Sequence, residues 1–312
     1  MKIPGDKSVP IVCLILSIFL GLIAWLLFNI NESSATSTEI SLSSILERPQ
    51  PEIVISDEAK LEIENFRILL VPGHDDENHG AEFLDNENLI KESDFNLNVT
   101  NELLNILEKD KQIETFITRT ENGYTKEFLD YFETEKESIL EFKKESDKKS
   151  KFLKDDPIEE VHQNKVPAEV SFKLHGINKW ANENEIDLVV HAHFNEYPRK
   201  DENTEGDYSG FSIYIPKEGF KNNPESAKFA ENIRDYLNDV FPETNAPVES
   251  DVVIQDSDLI AIGAHNSLNS PSVLVEYGFI YEPKFRGGNS EQVFKSLATQ
   301  TYLGIKKTLF DF

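Results

Sequence analysis

Residues 67–97 read RILLVPGHDDENHGAEFLDNENLIKESDFNL and combine a strand, a sharp turn and the approach to a helix. The apolar run Ile68 to Val71 predicts a buried strand, and Pro72-Gly73 predicts that this strand stops at a turn. The turn leaves His74 at the carboxyl end of the strand, where open α/β sheets build their ligand sites. Glu92 follows eighteen positions later, just before a predicted helix.

Two later segments also end in side chains that can bind a metal or move a proton. The segment IDLVVHAHFNE, residues 186–196, predicts a strand that carries His191 and His193. Because they are two positions apart, both histidines should point to one face of the strand. In SPSVLVEYGF, residues 270–279, Glu276 follows an apolar run, where an unpaired carboxylate is costly to bury. With the first stretch, these segments supply two histidines and two carboxylates at element ends, which is typical of a zinc hydrolase.

Each of these residues has an ordinary structural explanation when it is considered alone. A turn histidine such as His74 is commonly just exposed, and an acidic residue such as Glu92 is favoured in the first turn of a helix. The functional interpretation therefore depends on the whole set of residues and not on any one of them.

The composition narrows the classes of protein to which the chain can belong. Its 312 residues are 39% hydrophobic and 10% aromatic, which is enough for a substantial core. The formal net charge of −26 argues against a nucleic acid partner, because phosphates are bound mainly by Lys and Arg. The single cysteine, Cys13, allows neither a disulfide within the chain nor a cysteine metal site. Any metal must therefore be bound by His, Asp and Glu.

The amino-terminal part of the chain predicts attachment to a membrane. Val9–Phe28 contains no charged residue, is long enough to cross a bilayer, and exceeds the apolar core of an ordinary cleaved signal. We therefore expect a cytoplasmic tail (1–8), a single transmembrane signal anchor (9–30) and a linker (31–65), with the rest outside the cytoplasm. The small residues Ser33-Ser34-Ala35 leave open the alternative that the segment is cleaved and the protein is secreted.

The rest of the chain, residues 66–312, alternates predicted strands with predicted helices. This alternation predicts an α/β fold of three layers, in which helices cover both faces of a mostly parallel sheet. The predicted strands cover residues 66–71, 113–118, 186–191, 211–215, 252–254 and 272–275, and the predicted helices cover residues 93–109 (with Ser93 as the cap), 172–185, 226–240 and 290–309.

Residues 121–168 interrupt this alternation with a stretch that is dense in charges of both signs. They include the run LDYFETEKESILEFKKESDKKSKFLKDD. Two interpretations remain open. The charge density favours a solvated helical excursion on the surface, and the position in the chain also allows a lid or regulatory segment over the site.

Several short motifs follow one another in a definite order along residues 66–312. They are VPGH at 71–74, Gly80-Ala81, Glu92 with Asn96 and Leu97, Thr118-Arg119, Ala181-Asn182, the run from His191 to Asn195, and Pro271 to Phe279. In order and spacing they resemble the zinc-dependent N-acetylmuramoyl-L-alanine amidases of the amidase type 3 family. The resemblance includes one large insertion after Arg119.

The resemblance implies a zinc enzyme that acts on peptidoglycan. His74, Glu92 and His193 would bind Zn²⁺, and Glu276 would be the general base for the attacking water and then the acid for the leaving amine. The bond cut would be the amide between the lactyl group of N-acetylmuramic acid and the L-alanine of the stem peptide. Two alternatives are a catalytically inactive module that binds wall peptides and a zinc hydrolase of the same fold that cuts another amide.

Some residues around the expected site depart from the family pattern or have no assigned role. Asp75-Asp76 stands where the family usually has Gly-Gly, which makes the turn bulkier and more acidic. His191 replaces a serine of the family and is a candidate partner of a ligand or proton carrier. His79 is a candidate extra metal contact, with an exposed loop histidine as the alternative. Asn195 and Arg119 are candidates for supporting the ligands or for binding substrate.

Overall fold

The computed structural model describes residues 65–152, 166–201 and 203–310. The expected tail and anchor lie outside these ranges, as does nearly all of the expected linker, so these three segments stay predictions. No helix in the described ranges is both long and apolar enough to cross a membrane.

Strands and helices alternate along most of the described chain. In chain order they are β1 (Phe66–Pro72), β2 (Glu82–Asp85), β3 (Asn88–Lys91), α1 (Glu92–Leu107), β4 (Ile113–Ile117), β5 (Arg119–Thr120), β6 (Gly123–Tyr124), α2 (Lys126–Thr134), α3 (Lys136–Phe152), α4 (Ala168–Glu183), β7 (Leu188–Asn195), β8 (Ser212–Pro216), α5 (Asn223–Asn238), β9 (Val253–Asp256), β10 (Ser272–Phe279) and α6 (Ser290–Phe310).

A six-stranded sheet with the order β4-β1-β7-β10-β8-β9 forms the centre of the fold. Strands β4, β1, β7 and β10 pair in parallel, and β10 pairs with β8 in antiparallel orientation. Strand β9 pairs in parallel with β8. The expected mostly parallel sheet is therefore confirmed, with one antiparallel junction that the sequence did not predict.

Helices cover both faces of this sheet, as the alternation of elements predicted. On one face α1 packs against β1, β7 and α6, and the ring of Phe194 on β7 lies 5.3 Å from that of Phe95 on α1. On the other face, Leu69 and Val189 join a buried cluster with Trp180 of α4. Side chains alternate between the two faces of a strand, so His191 and His193 share the second face with Val189.

Two central strands continue further than the sequence predicted. Strand β7 extends through His191 and His193 to Asn195, and β10 extends through Glu276 to Phe279. Polar residues made both strands look shorter, but the parallel register pairs Glu276 with His193, and the register shifts only after that pair, between Glu276 and Phe279. His191, His193 and Glu276 therefore sit on paired strand positions, which hold them more rigidly than loops would.

The start of α1 corrects the prediction that Ser93 caps this helix. The helix begins at Glu92, and its cap residue, Lys91, makes no side-chain capping bond. Instead, the backbone N–H groups of Glu92 and Ser93 donate to the carbonyls of Ala81 and His79. The short hairpin β2–β3, which the sequence did not reveal, brings the chain back to these carbonyls and makes a side-chain cap unnecessary.

The charged insertion is not a solvated excursion, and that interpretation is wrong for its described part. Phe128 of α2 and Ile139 of α3 are completely buried and belong to the same cluster as Leu69 and Trp180. The ring of Phe128 lies 4.9 Å from that of Trp180. Apolar residues at helical spacing form one buried face, and most of the described charged side chains of α2 and α3 are exposed. Residues 153–165 lie outside the described ranges.

Candidate metal centre

Three side chains converge at the carboxyl ends of β1 and β7. His74 Nε2 lies 3.2 Å from Glu92 Oε2, and His193 Nδ1 lies 2.9 Å from Glu92 Oε1. One ligand atom from each of the three residues lies within 4.8 Å of the other two. The structure thus brings together the three residues that the sequence pattern assigned to a metal.

The backbone around the site has glycines where the imidazole rings and the carboxylate need room. A Cβ atom on Gly73 would overlap the ring of His193, and one on Gly80 would overlap Glu92 Oε2 and the ring of His74. His74 itself has φ 61°, an unusual conformation for a residue other than glycine. The turn therefore fixes the direction of the His74 side chain, and the two glycines allow the three side chains to meet.

Glu92 is held by donors from three directions. Its Oε2 accepts from the backbone N–H of Ala81 at 2.9 Å, and its Oε1 accepts from Asn96 Nδ2 at 3.2 Å. The backbone N–H of Phe194 donates to Oε1 at 3.3 Å. Burial raises the pKa of the Glu92 carboxyl, but hydrogen bonds and charge from the two histidines outweigh burial and place the pKa well below its ordinary value. Glu92 therefore remains ionised.

A buried arginine donates hydrogen bonds to backbone carbonyls next to His74 and Glu92. Arg119 Nη2 donates to the carbonyl of Gly73 at 2.9 Å and to that of Ser93 at 2.8 Å. Asn96 Nδ2 also donates to the carbonyl of Gly73, at 3.0 Å. Arg119 and Asn96 thus tie the turn that carries His74 to the first turn of α1, which carries Glu92.

Glu276 lies beside the three converging residues on the adjacent strand β10, where it pairs in register with His193. Its Oε2 atom is shielded from solvent and has no hydrogen-bond partner among the described residues. Burial and then the negative charges of Glu92 and Glu249 raise the pKa of the Glu276 carboxyl well above its ordinary value. Glu276 thus differs from Glu92 in both partners and pKa, which fits a group that exchanges protons.

Glu249 is a buried carboxylate near Glu276 that the sequence did not reveal. Its Oε1 accepts from Asn195 Nδ2 at 2.5 Å, from Ser212 Oγ at 3.1 Å and from Tyr214 OH at 2.9 Å. Asn195, a predicted site residue, therefore holds Glu249 and is not among the three residues of the metal group. A single glutamate in a short 3₁₀ turn, Pro247–Glu249, carries no sequence pattern that would have identified it.

The two other predicted histidines have separate positions. His191 is buried and lines the cleft beside the site, and its Nε2 has no partner among the described residues. Burial and the neighbouring His193 lower the pKa of His191 to about 3, so its imidazole is neutral. His79 points elsewhere, with Nδ1 3.0 Å from Glu82 Oε1 and Nε2 3.2 Å from Lys91 Nζ.

The three converging residues fit a zinc ion. Two imidazoles and one carboxylate with room for a further ligand are the donor set of many catalytic zinc sites. Burial lowers the pKa of His193, although Glu92 opposes this shift, and the ring is therefore neutral and able to bind metal near neutral pH. The glycine cradle and the ionised Glu92 add to this fit.

The site opens into a cleft of about 850 Å³ on the face of the sheet that α4 covers. Gly73, His74, His191 and His193 line the inner end of the cleft. Residues of the insertion and its neighbour α4 line the opposite wall, and they include Tyr124, Lys143, Val170, Lys173 and Leu174. The charged insertion is therefore part of the cleft.

Solved structures of amidases share this fold. The CwlD amidase of Clostridioides difficile, solved in complex with the GerS lipoprotein, is 19% identical, with a TM-score of 0.52 over 80% of this chain and 100% of that chain. The amidase Ami1 of Mycobacterium smegmatis is 16% identical, with a TM-score of 0.51 over 80% of this chain and 99% of that chain. At these identities the likeness shows the fold alone.

The family assignment comes from the sequence of the sheet and its site. No curated protein matches the chain at a significant level. The family model described as N-acetylmuramoyl-L-alanine amidase matches residues 68–307, which include all three converging residues and Glu276. The chain therefore belongs to the amidase type 3 family of N-acetylmuramoyl-L-alanine amidases.

Proposed function

We propose that this protein is a zinc-dependent hydrolase that cleaves the amide between N-acetylmuramic acid and L-alanine in peptidoglycan. The observation that carries the proposal is the meeting of His74, Glu92 and His193 beside Glu276 in a member of this family. A module that only binds wall peptides would have no need of a carboxylate beside these three residues whose Oε2 atom is shielded from solvent and has no partner among the described residues.

The residues of the site divide the work of metal binding and proton transfer. His74, Glu92 and His193 would hold the zinc, which when bound would polarise the scissile carbonyl and lower the pKa of a water molecule toward ~7. Arg119 and Asn96 keep two of these side chains in place through the carbonyl of Gly73.

Glu276 is the group that moves protons in this proposal. It accepts a proton from the attacking water as the new C–O bond forms, and it returns that proton to the leaving nitrogen of L-alanine as the C–N bond breaks. A raised pKa suits the first step, because it makes the Glu276 carboxylate a stronger base toward the proton of the attacking water. The products are a free muramic acid carboxylate and a stem peptide with a free amino terminus.

Product analysis of digested peptidoglycan tests this reaction. The full-length protein with added zinc should release peptides that begin with a free L-alanine amine and should leave the glycan strands uncut, as read by mass spectrometry. Binding of peptidoglycan without any release of peptides would instead support a binding module. Release of peptides that begin at another residue would support a hydrolase of the same fold with a different amide specificity.

We also propose that residues 9–30 hold the protein in the cell membrane with its catalytic domain outside the cytoplasm. The support is the uncharged run Val9–Phe28, which is preceded by Lys2 and Lys7. Protease added to intact cells or spheroplasts should then cut the chain beyond residue 31. Protection of the whole catalytic domain would overturn this placement, and a mature chain that begins after Ala35 in the culture medium would indicate cleavage and secretion.

A further inference from the structure

One lysine lies on the inward face of a helix that is otherwise packed against the core. On α3, Ile139, Phe142, Lys143 and Ser146 follow the i, i+3, i+4, i+7 spacing of a single helix face, and all four are buried or partly buried. The ring of Phe142 lies 6.4 Å from that of His175 on α4, and His175 lines the metal cleft. Lys143 therefore directs its side chain to the cleft, which it also lines.

The cleft contains two cationic lysines, and their surroundings differ. Lys173 Nζ lies 3.2 Å from Asp75 Oδ2, 3.3 Å from Glu77 Oε2 and 3.3 Å from Glu169 Oε1. Three carboxylates thus already contact Lys173. Burial lowers the pKa of Lys173, but the hydrogen bond and charge of Asp75, with a hydrogen bond to Glu77, outweigh burial and raise it. Lys143 has no ion pair with any residue that the structure describes. It is the cleft lysine whose charge is still available to a ligand.

Neither described carboxylate of the cleft, Asp75 or Asp258, forms an ion pair with Lys143. Asp75 is engaged by Lys173, and its Oδ1 accepts from the backbone N–H groups of Glu77 and Asn78. Asp258 accepts from Ser257 Oγ at 3.2 Å. In a chain with a net charge of −26, a lysine on the inward face of a helix that pairs with no described carboxylate indicates a site for an anionic group.

We propose that Lys143 binds a free carboxylate of the stem peptide, on the residue that follows L-alanine, and so selects peptides in which that carboxylate is not amidated. This inference rests on the proposed amidase function, because the stem peptide must lie in the same cleft as its scissile amide. Carboxylate is the chemical class that matches a partly buried ammonium group whose donors are used by none of the described residues. The apolar walls around it, which include Val170, Leu174 and Ile260, would cover the uncharged part of the peptide.

A matched pair of muropeptides tests the selection. The two peptides differ only in whether the residue after L-alanine carries a free carboxylate or its amide. The zinc-loaded wild-type protein should have a lower KM for the free carboxylate, and Lys143→Gln should raise that KM about tenfold while it leaves the amidated peptide nearly unchanged. Lys143→Arg should retain the preference, because it keeps the charge.

Lys144 provides the control on the same helix. Its side chain is 63% exposed and its Nζ pairs with Glu141 on the solvent side, so Lys144→Gln makes the same change in net charge away from the cleft. It should leave both KM values at the wild-type level. An equal rise in KM for both muropeptides after Lys143→Gln, or a wild type that does not distinguish them, would overturn the role of Lys143.

Failure of the amidase function gives a different result. If the wild type cleaves neither muropeptide, calorimetric binding of the peptide products, which begin at L-alanine, still tests the lysine. The peptide with the free carboxylate should bind wild type more tightly than Lys143→Gln, and the amidated peptide should not distinguish the two proteins. Equal affinity of both peptides for both proteins would overturn the proposal.

Discussion

The two walls of the cleft are held together by different forces. On the metal wall, formed by β1, α1, β7 and β10, directed hydrogen bonds hold Glu92 and the turn that carries His74, such as those from Arg119 and Asn96 to the carbonyl of Gly73. On the insertion wall, formed by α2, α3 and the hairpin β5–β6, apolar side chains such as Phe128 and Ile139 pack on α4. The structure of the metal wall therefore depends on the identity of hydrogen-bond donors and acceptors, and that of the insertion wall depends on the volume of its buried side chains.

This difference decides which substitutions each wall should tolerate. A hydrogen bond to a buried partner is lost with any side chain that lacks the donor, and the partner is left unsatisfied. A packed apolar position accepts another side chain of similar volume at small cost. Substitutions that keep the shape should therefore harm the metal wall, and only substitutions that remove volume should harm the insertion wall.

The largest effect is expected from the removal of a metal ligand. The wild-type protein should carry about one zinc per chain, as a site with three protein ligands implies. His74→Ala or His193→Ala should each lose most of that zinc and all measurable activity. Metal analysis of the purified proteins checks this, and a wild type that takes up no zinc on addition would remove the basis of the proposed function.

The next largest effect concerns the packing of the insertion wall. Phe128 is completely buried, so Phe128→Ala should lower the free energy of unfolding by about 3–5 kcal/mol. Phe128→Leu, which keeps more of the volume, should cost less. Leu129 is 54% exposed on the same helix, and Leu129→Ala should change the stability by less than about 0.5 kcal/mol. Equal denaturation midpoints for Phe128→Ala and Leu129→Ala would restore the solvated-excursion interpretation.

A smaller effect is expected from the residue that orients Glu92. Asn96→Ala removes donors to Glu92 Oε1 and to the carbonyl of Gly73, and it should weaken zinc binding by about 10- to 100-fold with the fold intact. Asn98 is exposed on the same helix, so Asn98→Ala is the matched control and should bind zinc like the wild type. Competition with a chelator measures both affinities, and equal values would mean that Asn96 does not support the site.

The sequence predicted the metal wall better than the insertion wall. The strands of the metal wall can be recognised in the sequence as apolar runs, and their polar ends occur in short motifs of definite order. The sequence therefore allowed all four candidate site residues to be selected: His74, Glu92, His193 and Glu276. In the sequence of the insertion wall, the few apolar residues that become buried are outnumbered by charged residues. Its high charge density therefore favoured the interpretation of a solvated segment. The i, i+3, i+4, i+7 spacing around Ile139 was the better indicator, because it predicts a helix with one buried face.

Contacts between distant segments account for what the sequence did not reveal. Glu249 is positioned by Asn195, Ser212, Tyr214 and Thr244, which come from three separate parts of the chain. The first N–H groups of α1 donate to the carbonyls of Ala81 and His79, which lie 11 and 14 residues earlier, just before the hairpin β2–β3, and not to a local capping residue. Local propensity cannot predict either feature, because both arise only when the segments meet in the fold.

The two site carboxylates provide the sharpest contrast on the metal wall. Glu92 is surrounded by donors that lower its pKa, whereas Glu276 has an oxygen with no partner among the described residues, and burial with neighbouring negative charge raises its pKa. Opposite environments of this kind assign different roles to chemically identical side chains. In the proposed function, Glu92 is accordingly the ligand and Glu276 is the group that moves the proton.

A paired substitution of these two carboxylates tests that assignment, with zinc content and peptide release measured on the same samples. Glu276→Gln should keep near-normal zinc and lose activity by about 10²–10⁴-fold, because a general acid–base group is removed and no ligand is lost. Glu92→Gln should lose zinc as well as activity, because a neutral amide is a poorer ligand than a carboxylate. A Glu276→Gln protein that releases stem peptides at the wild-type rate, or that has lost its zinc, would contradict the division of roles.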